Sequence, residues 1–213
     1  MEIIWYGLSC FRLSERNKAT VVTDPFGSGV GYALPKLKAT IVTVSHDAPG
    51  HNNIEVVKDA FPITGPGEYE IDSVFITGVD TIKSRKEQKN GSMHNIIYVF
   101  DYETITVCHL GDLNHIPSQT KVENLGTIDI ALVPVGGGGG LNAAKAAEVI
   151  SMLEPSVVIP MHYKTEHTNI DLQPLDKFLQ EMGVADVEAQ DTLVIKSRTT
   201  SEDTKVVVLN PRQ

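Results

Sequence analysis

The sequence predicts a layered α/β protein folded as a single domain over residues 1–213, on three observations. The chain has 213 residues, 41% hydrophobic and 21% charged, enough to bury one sizeable core between two or three packed layers. Its first half carries short apolar runs rich in branched and aromatic residues, the pattern of strands. In its second half such runs alternate with segments of helical period, the pattern of parallel strands joined by helices.

The elements follow in order. MEIIWYGLSCFRLSE gives a strand, a turn at Gly7 and a second strand. Ala19 to Thr23 is a third, ended by Asp24-Pro25, and the Gly-rich run from Gly27 to Tyr32 is a loop. TIVTVS, residues 40–45, is a branched apolar run that reads as a buried strand and stops at His46. A short helix or turn around Asn53 to Asp59 comes next. FPITGPGEYEI, SVFITGV and NIIYVFDYETITVCHL are successive strands, and the polar stretch Asp80 to Ser92 before the last of them is expected to be an exposed, mobile loop. IDIALVPV, residues 128–135, is a buried strand that runs into five glycines, 136–140. In the following LNAAKAAEVISMLE, residues Leu141, Ala144, Ala147 and Ile150 share a helical face. Pro155 ends that helix, VVIPM is the next strand, and Leu172 to Met182 is a helix closed by Gly183. Two last strands surround Thr192 to Ile195 and Val206 to Leu209.

Composition excludes several classes. With 18 Lys+Arg against 27 Asp+Glu the formal net charge is -9, which argues against a nucleic-acid partner. No apolar run approaches the ~20 residues of a bilayer span, so no membrane partner is expected. Cys10 and Cys108 are the only cysteines, too few for a disulfide framework. Without a secretory segment, the expected location is the cytoplasm.

Chemistry concentrates in the histidines. His46, His109 and His162 each stand at the end of an apolar strand, and such ends converge at one edge of a layered fold, the usual place for a site. The alternative for any one of them is a hydrogen bond to a neighbouring loop. Ser45-His46-Asp47-Ala48-Pro49-Gly50-His51 sets two imidazoles five apart across a turn. With Asp112 and His162 they offer nitrogen and carboxylate ligands suited to zinc. His94, His115 and His167 read as surface or loop residues, and Cys108 as core.

Taken together, Gly7-Leu8-Ser9-Cys10-Phe11, Thr23-Asp24-Pro25, Ser45 to His51, Gly65-Pro66-Gly67-Glu68-Tyr69, His109-Leu110-Gly111-Asp112-Leu113, Pro134-Val135-Gly136-Gly137 and Ile159-Pro160-Met161-His162-Tyr163 resemble the metallo-β-lactamase superfamily. Within it, the chain is similar to the small soluble hydrolases related to ascorbate-6-phosphate lactonases. The resemblance implies a four-layer αββα sandwich of the α+β kind, with a metal site in a groove at one edge between the sheets.

The chain departs from the family pattern where the metal ligands stand. In His-x-His-x-Asp-His, Ala48 takes the place of the second His and Gly50 that of the Asp; Leu8 takes the middle place of Gly-His-Ser. Where a further His is expected, Lys83 or a neighbour stands. The first of two implied metal positions keeps only His46, with Asp112 as the shared ligand. The second keeps His51, Asp112 and His162, the ligand count of a catalytic zinc site with one position open to water. The resemblance therefore implies one divalent ion (zinc, with manganese or iron as alternatives) or, if the ligand losses are decisive, none. Asp24 reads as a buried carboxylate beside a histidine ligand, fixing its tautomer, with the plain ending of a strand as the alternative; His46 and Asp112 stand at the chemistry, and Asp47 is the nearest alternative base in sequence, although in the family this position faces away from the metal ligands. Lys83 or another cation from its loop is expected to enter the vacated first position. Gly136 and Gly137 form a close-approach turn beside the site, where an anionic substrate group could rest.

Two functions follow. One is a hydrolase of a small ester, lactone or phosphodiester-type substrate, acting through a metal-bound hydroxide at one ion or an impaired site. The other is a non-catalytic relative that binds a ligand or partner after losing its metal centre. The sequence says nothing of oligomeric state.

Overall fold

The computed structural model of the chain describes residues 1–33, 35–81, 94–198 and 203–213. Its strands are β1 (Glu2–Gly7), β2 (Cys10–Ser14), β3 (Val21–Thr23), β4 (Leu37–Lys38), β5 (Ile41–Thr43), β6 (Val57–Lys58), β7 (Phe61–Ile63), β8 (Gly67–Ile71), β9 (Val74–Asp80), β10 (Ile96–Asp101), β11 (Thr106–His109), β12 (Ile130–Pro134), β13 (Val157–Met161), β14 (Leu193–Val194) and β15 (Lys205–Val206). The first sheet runs β14-β1-β2-β3-β5-β7 and the second β15-β13-β12-β11-β10-β9-β8, with β4 and β6 paired apart. In the second sheet β8 to β11 pair antiparallel, while β11, β12, β13 and β15 run parallel. That switch matches the change from consecutive strand runs to alternating strands and helices along the sequence.

Period-2 alternation decides how the sheets pack. On β1, Ile3 and Trp5 join the main core with Tyr98 and Phe100 of β10, whereas Ile4 and Tyr6 belong to a second cluster on the opposite face of the first sheet. The Tyr98 hydroxyl lies 3.1 Å from both the Val44 and the Ile63 carbonyls, stitching the second sheet to the first.

Helices α1 (Gln119–Glu123), α2 (Ala143–Leu153) and α3 (Asp176–Glu181) serve the second sheet, α2 packing on β12 and on both other helices. Over the first sheet the outer layer is made of Phe26, Val30 and Tyr32 from a loop and Leu37 and Val57 from the β4–β6 pair. Among the described residues its only helical turn is Ile54–Val56. The segment between β3 and β7 carries Pro25, Pro35 and Pro49 among several glycines, which deny it a longer helix.

The helices differ in detail from the sequence expectation. In α2 the buried residues are Ala143, Ala146, Val149, Ile150 and Leu153, and Ala144 is exposed. The face read from Leu141 is out of phase because Asn142 caps the helix, its side chain accepting from the Lys145 N–H at 3.0 Å, so Leu141 lies outside. The larger Val149, Ile150 and Leu153 then fix which side turns inward. The helix expected from Leu172 begins only at Asp176, because the residue before Pro174 is driven from helical geometry. The Gln173 N–H instead donates to the Gly136 carbonyl at 2.8 Å. Helix α1, too short to show a period, has no sequence signal. Both cysteines are free and buried, and among the described residues no helix is long and apolar enough to cross a membrane. Lys83 and the rest of the expected loop from residue 82 lie outside the described residues.

Candidate metal centre

Parallel pairing brings the polar residues together. Asp24 follows β3, Ser45 and His46 follow β5 close behind it, Asp112 follows β11, and His162 follows β13. They form two groups whose prospective ligand atoms lie within 4.8 Å of one another: Asp24, His46 and His51, and His51, Asp112 and His162.

In the first group the Asp24 carboxylate is fully engaged. Asp24 Oδ1 accepts from the Ser45 N–H at 2.7 Å, and its Oδ2 accepts from the Ser45 hydroxyl at 2.5 Å and from His51 Nδ1 at 3.0 Å. Burial pushes the Asp24 carboxyl up, but His109, His51 and the bonds from His51 and Ser45 outweigh it and hold the group below its ordinary value. An ionised carboxylate only accepts, so His51 carries its proton on Nδ1 and leaves Nε2 with a lone pair. Ser45 Oγ also lies 3.0 Å from His46 Nδ1. Having given its one proton to Asp24, the hydroxyl accepts from His46, which takes the same tautomer.

The second group is unfinished. His162 Nδ1 faces Asp112 Oδ1 at 3.5 Å, and both atoms are buried without a hydrogen-bond partner. Two orphaned polar atoms inside a protein are costly. Two imidazoles and a carboxylate converging on one point are the donor set that a divalent ion satisfies, so the residues fit a metal. Burial lowers the pKa of His162 against the pull of Asp112, and lowers that of His46 together with His51, which favours the neutral rings that ligate.

The backbone around the trio is held in unusual conformations. Leu8, Asp24 and His162 have φ of 45°, 39° and 52°, left-handed values that non-glycine residues rarely adopt and that collect at functional sites. His162 is pinned from both sides, its N–H donating to the Leu8 carbonyl and its carbonyl accepting from the Gly136 N–H, each at 3.1 Å. Gly111 has φ +61°, and a Cβ there would stand 2.3 Å from Asn95 Oδ1. The neighbouring Asp112 N–H donates to that same oxygen at 2.9 Å. Asn95 and Ser45 thus help position the site although neither has a ligand's chemistry. Only Ser45's place before His46 at a strand end hinted at a role.

The other sequence-derived residues sort themselves by position. His46 lies beside His51, ring centroids 4.2 Å apart, outside the His51–Asp112–His162 trio. Asp47 is exposed and accepts from Asn52 Nδ2 at 2.6 Å. The turn from Gly136 to Gly140 lies close to the site, since a Cβ on Gly140 would be 2.3 Å from Asp112 Oδ1. Its N–H groups at Gly136, Gly137 and Gly140 bond to the His162, Leu141 and Gly137 carbonyls, so those three donors are already used. His109 is fully buried between the Ser9 carbonyl at 2.9 Å and the Gly111 N–H at 3.3 Å, the loop-bonding alternative for a strand-end histidine. His94 pairs with Asp80 at 3.2 Å and His167 with Glu166 at 3.5 Å, and neither belongs to the trio.

Comparison with known proteins gives a consistent picture. A family model described as a beta-lactamase superfamily domain matches residues 2–162. The chain is similar to a solved structure from Thermotoga maritima described as a candidate zinc-dependent hydrolase of the metallo-beta-lactamase superfamily. The two are 36% identical with a TM-score of 0.79, over 98% of this chain and 99% of that one. It is 26% identical to a UPF0173 protein of Pyrococcus furiosus, over 86% of this chain and 93% of the relative. A UPF0173 metal-dependent hydrolase of Pyrococcus horikoshii is 30% identical over 149 residues, 68% of this chain and 66% of the relative.

Proposed function

The chain belongs to the metallo-β-lactamase superfamily, and from that premise we propose that it is a metal-dependent hydrolase of small molecules. It holds one divalent ion on His51, Asp112 and His162. The observation that carries this is the pair of orphaned buried atoms, Asp112 Oδ1 and His162 Nδ1, within that trio. Its similarity to metal-dependent hydrolases supports the activity, and the Thermotoga relative puts zinc ahead of manganese or iron. The substrate class is a small ester, lactone or phosphodiester. Two free buried thiols fit a reducing cytoplasm.

When bound, a divalent ion supplies Lewis acidity, lowering the pKa of water to roughly 7 and polarising a carbonyl or phosphoryl oxygen. The chain's residues do the rest. Asp24 holds the His51 proton on Nδ1 and so aims the Nε2 lone pair. Asp112 brings the negative oxygen, and the pinned backbone of His162 fixes the third donor. Burial of all three keeps bulk water away and strengthens each interaction.

The site is impaired at Gly50. A Cβ built there meets only Leu8 Cδ1, at 3.5 Å, so the backbone accepts a side chain where the family pattern has the carboxylate that this chain lacks. That same observation supports the second reading, a sandwich that binds its ligand without turnover. Metal counted per chain after purification without chelator separates the two. We expect a value near one for the wild type, its loss in His51→Ala and His162→Ala, and tighter retention in Gly50→Asp. A wild type that holds no metal even after incubation with zinc or manganese would leave the non-catalytic reading standing.

A further inference from the structure

A cavity of about 410 Å³ opens at His46, whose ring lies 4.2 Å from that of His51 in the trio, within the size range of small-ligand pockets. Val44, Ile54 and Ile96 give it an apolar wall, and its polar lining, the larger share of the residues, includes His46, Asp47, Asn52 and His94. Asp47 is a carboxylate and disfavours an anionic occupant. The presentation of His46 is fixed from behind: its Nδ1 lies 3.0 Å from Ser45 Oγ, and Ser45 gives its proton to Asp24. Asp24 already accepts three hydrogen bonds, so the chain His46 to Ser45 to Asp24 runs in one direction only. His46 Nε2 therefore carries a lone pair, and it has no hydrogen-bond partner among the described residues.

We propose that this cavity binds the non-reacting part of the substrate and that His46 Nε2 selects it by accepting a hydrogen bond, so that the preferred substrates are uncharged molecules bearing a hydroxyl or N–H donor. The inference rests on the trio being the reaction centre and narrows its substrate class away from phosphorylated compounds. The selection works by exclusion as much as by attraction. A ligand that presents only a carbonyl sets one lone pair against another and leaves the imidazole nitrogen unpaired.

The test uses the full-length protein and two neutral probes of one shape, cyclohexanol and cyclohexanone. Long-range 1H–15N correlation spectra read the His46 tautomer directly, and the same spectra report binding of each probe. We expect the Nδ1–H tautomer in the wild type and about tenfold tighter binding of cyclohexanol. His46→Leu, which removes the acceptor, and Ser45→Ala, which frees the ring proton, each bring the ratio near one. Ser45→Thr, which keeps the hydroxyl, restores it. An Nε2–H tautomer in the wild type, or equal affinities for the two probes, overturns the proposal. Both readouts are independent of metal content, so the metal count can fail without them, and they without it.

Discussion

Replacing Asp24 with asparagine keeps the side chain's shape and turns one acceptor oxygen into a donor. Either Ser45 N–H or the Ser45 hydroxyl and His51 N–H would then face an N–H. A broken buried charge network of this kind costs on the order of 3 kcal/mol, and loss of a histidine's supporting carboxylate weakens metal affinity about 10- to 100-fold. Urea unfolding and competitive metal titration measure the two effects. Unchanged metal affinity in Asp24→Asn would reduce Asp24 to a strand terminus. At this scale the sequence singled out His51, Asp112 and His162, which the structure brings together, because imidazoles and carboxylates name their own chemistry. It did not show Asn95, whose part depends on an oxygen that meets the Asp112 N–H only after two distant segments have packed. Nor did it show that Gly136 and Gly137 spend their N–H groups on carbonyls of the protein.

Helix α2 offers a test of the element apart from the site. Its cap, Asn142, satisfies the Lys145 N–H, and Asn142→Ala should cost about 1 kcal/mol. In a chain of this size that lowers the melting temperature by about 2–4 °C, with metal stoichiometry unchanged. A drop in bound metal would mean that the helix start and the neighbouring glycine turn control the site. Strands were the legible elements, since alternation on β1 separates Ile3 and Trp5 from Ile4 and Tyr6 in sequence as in space. Helices were harder: Pro174 cut α3 short, and α1 has only Lys121 and Val122 buried, too few to set a pattern.

Over the whole molecule, buried imidazoles tie stability to pH. Burial lowers the pKa of His109, of His46 and of His162 below the ordinary histidine value. In the unfolded chain they titrate near pH 6.5; in the folded chain they take up protons only at lower pH. Between those limits the unfolded state binds more protons, so this stability is complete above about pH 6.5 and is lost as the pH falls below it. Asp24, lowered in the same fold, adds a loss of the same sign in the more acidic carboxylate range. A melting temperature that stays flat from about pH 7.5 to pH 5.5 would contradict this, and His109→Gln should flatten the slope in part. The family and the two-sheet plan were legible at this scale, since the strand-end residues fall in the same order along the chain as in the family pattern. The loop-built layer over the first sheet was not, because its packing relies on scattered residues such as Phe26 and Tyr32. The trio also spans the sandwich, His51 arriving from the first sheet and Asp112 and His162 from the second. On a ribosome His162 is the last of the three to emerge. On the proposed ligand set a nascent chain cannot complete its site early, and an ion held there would clasp the two sheets together.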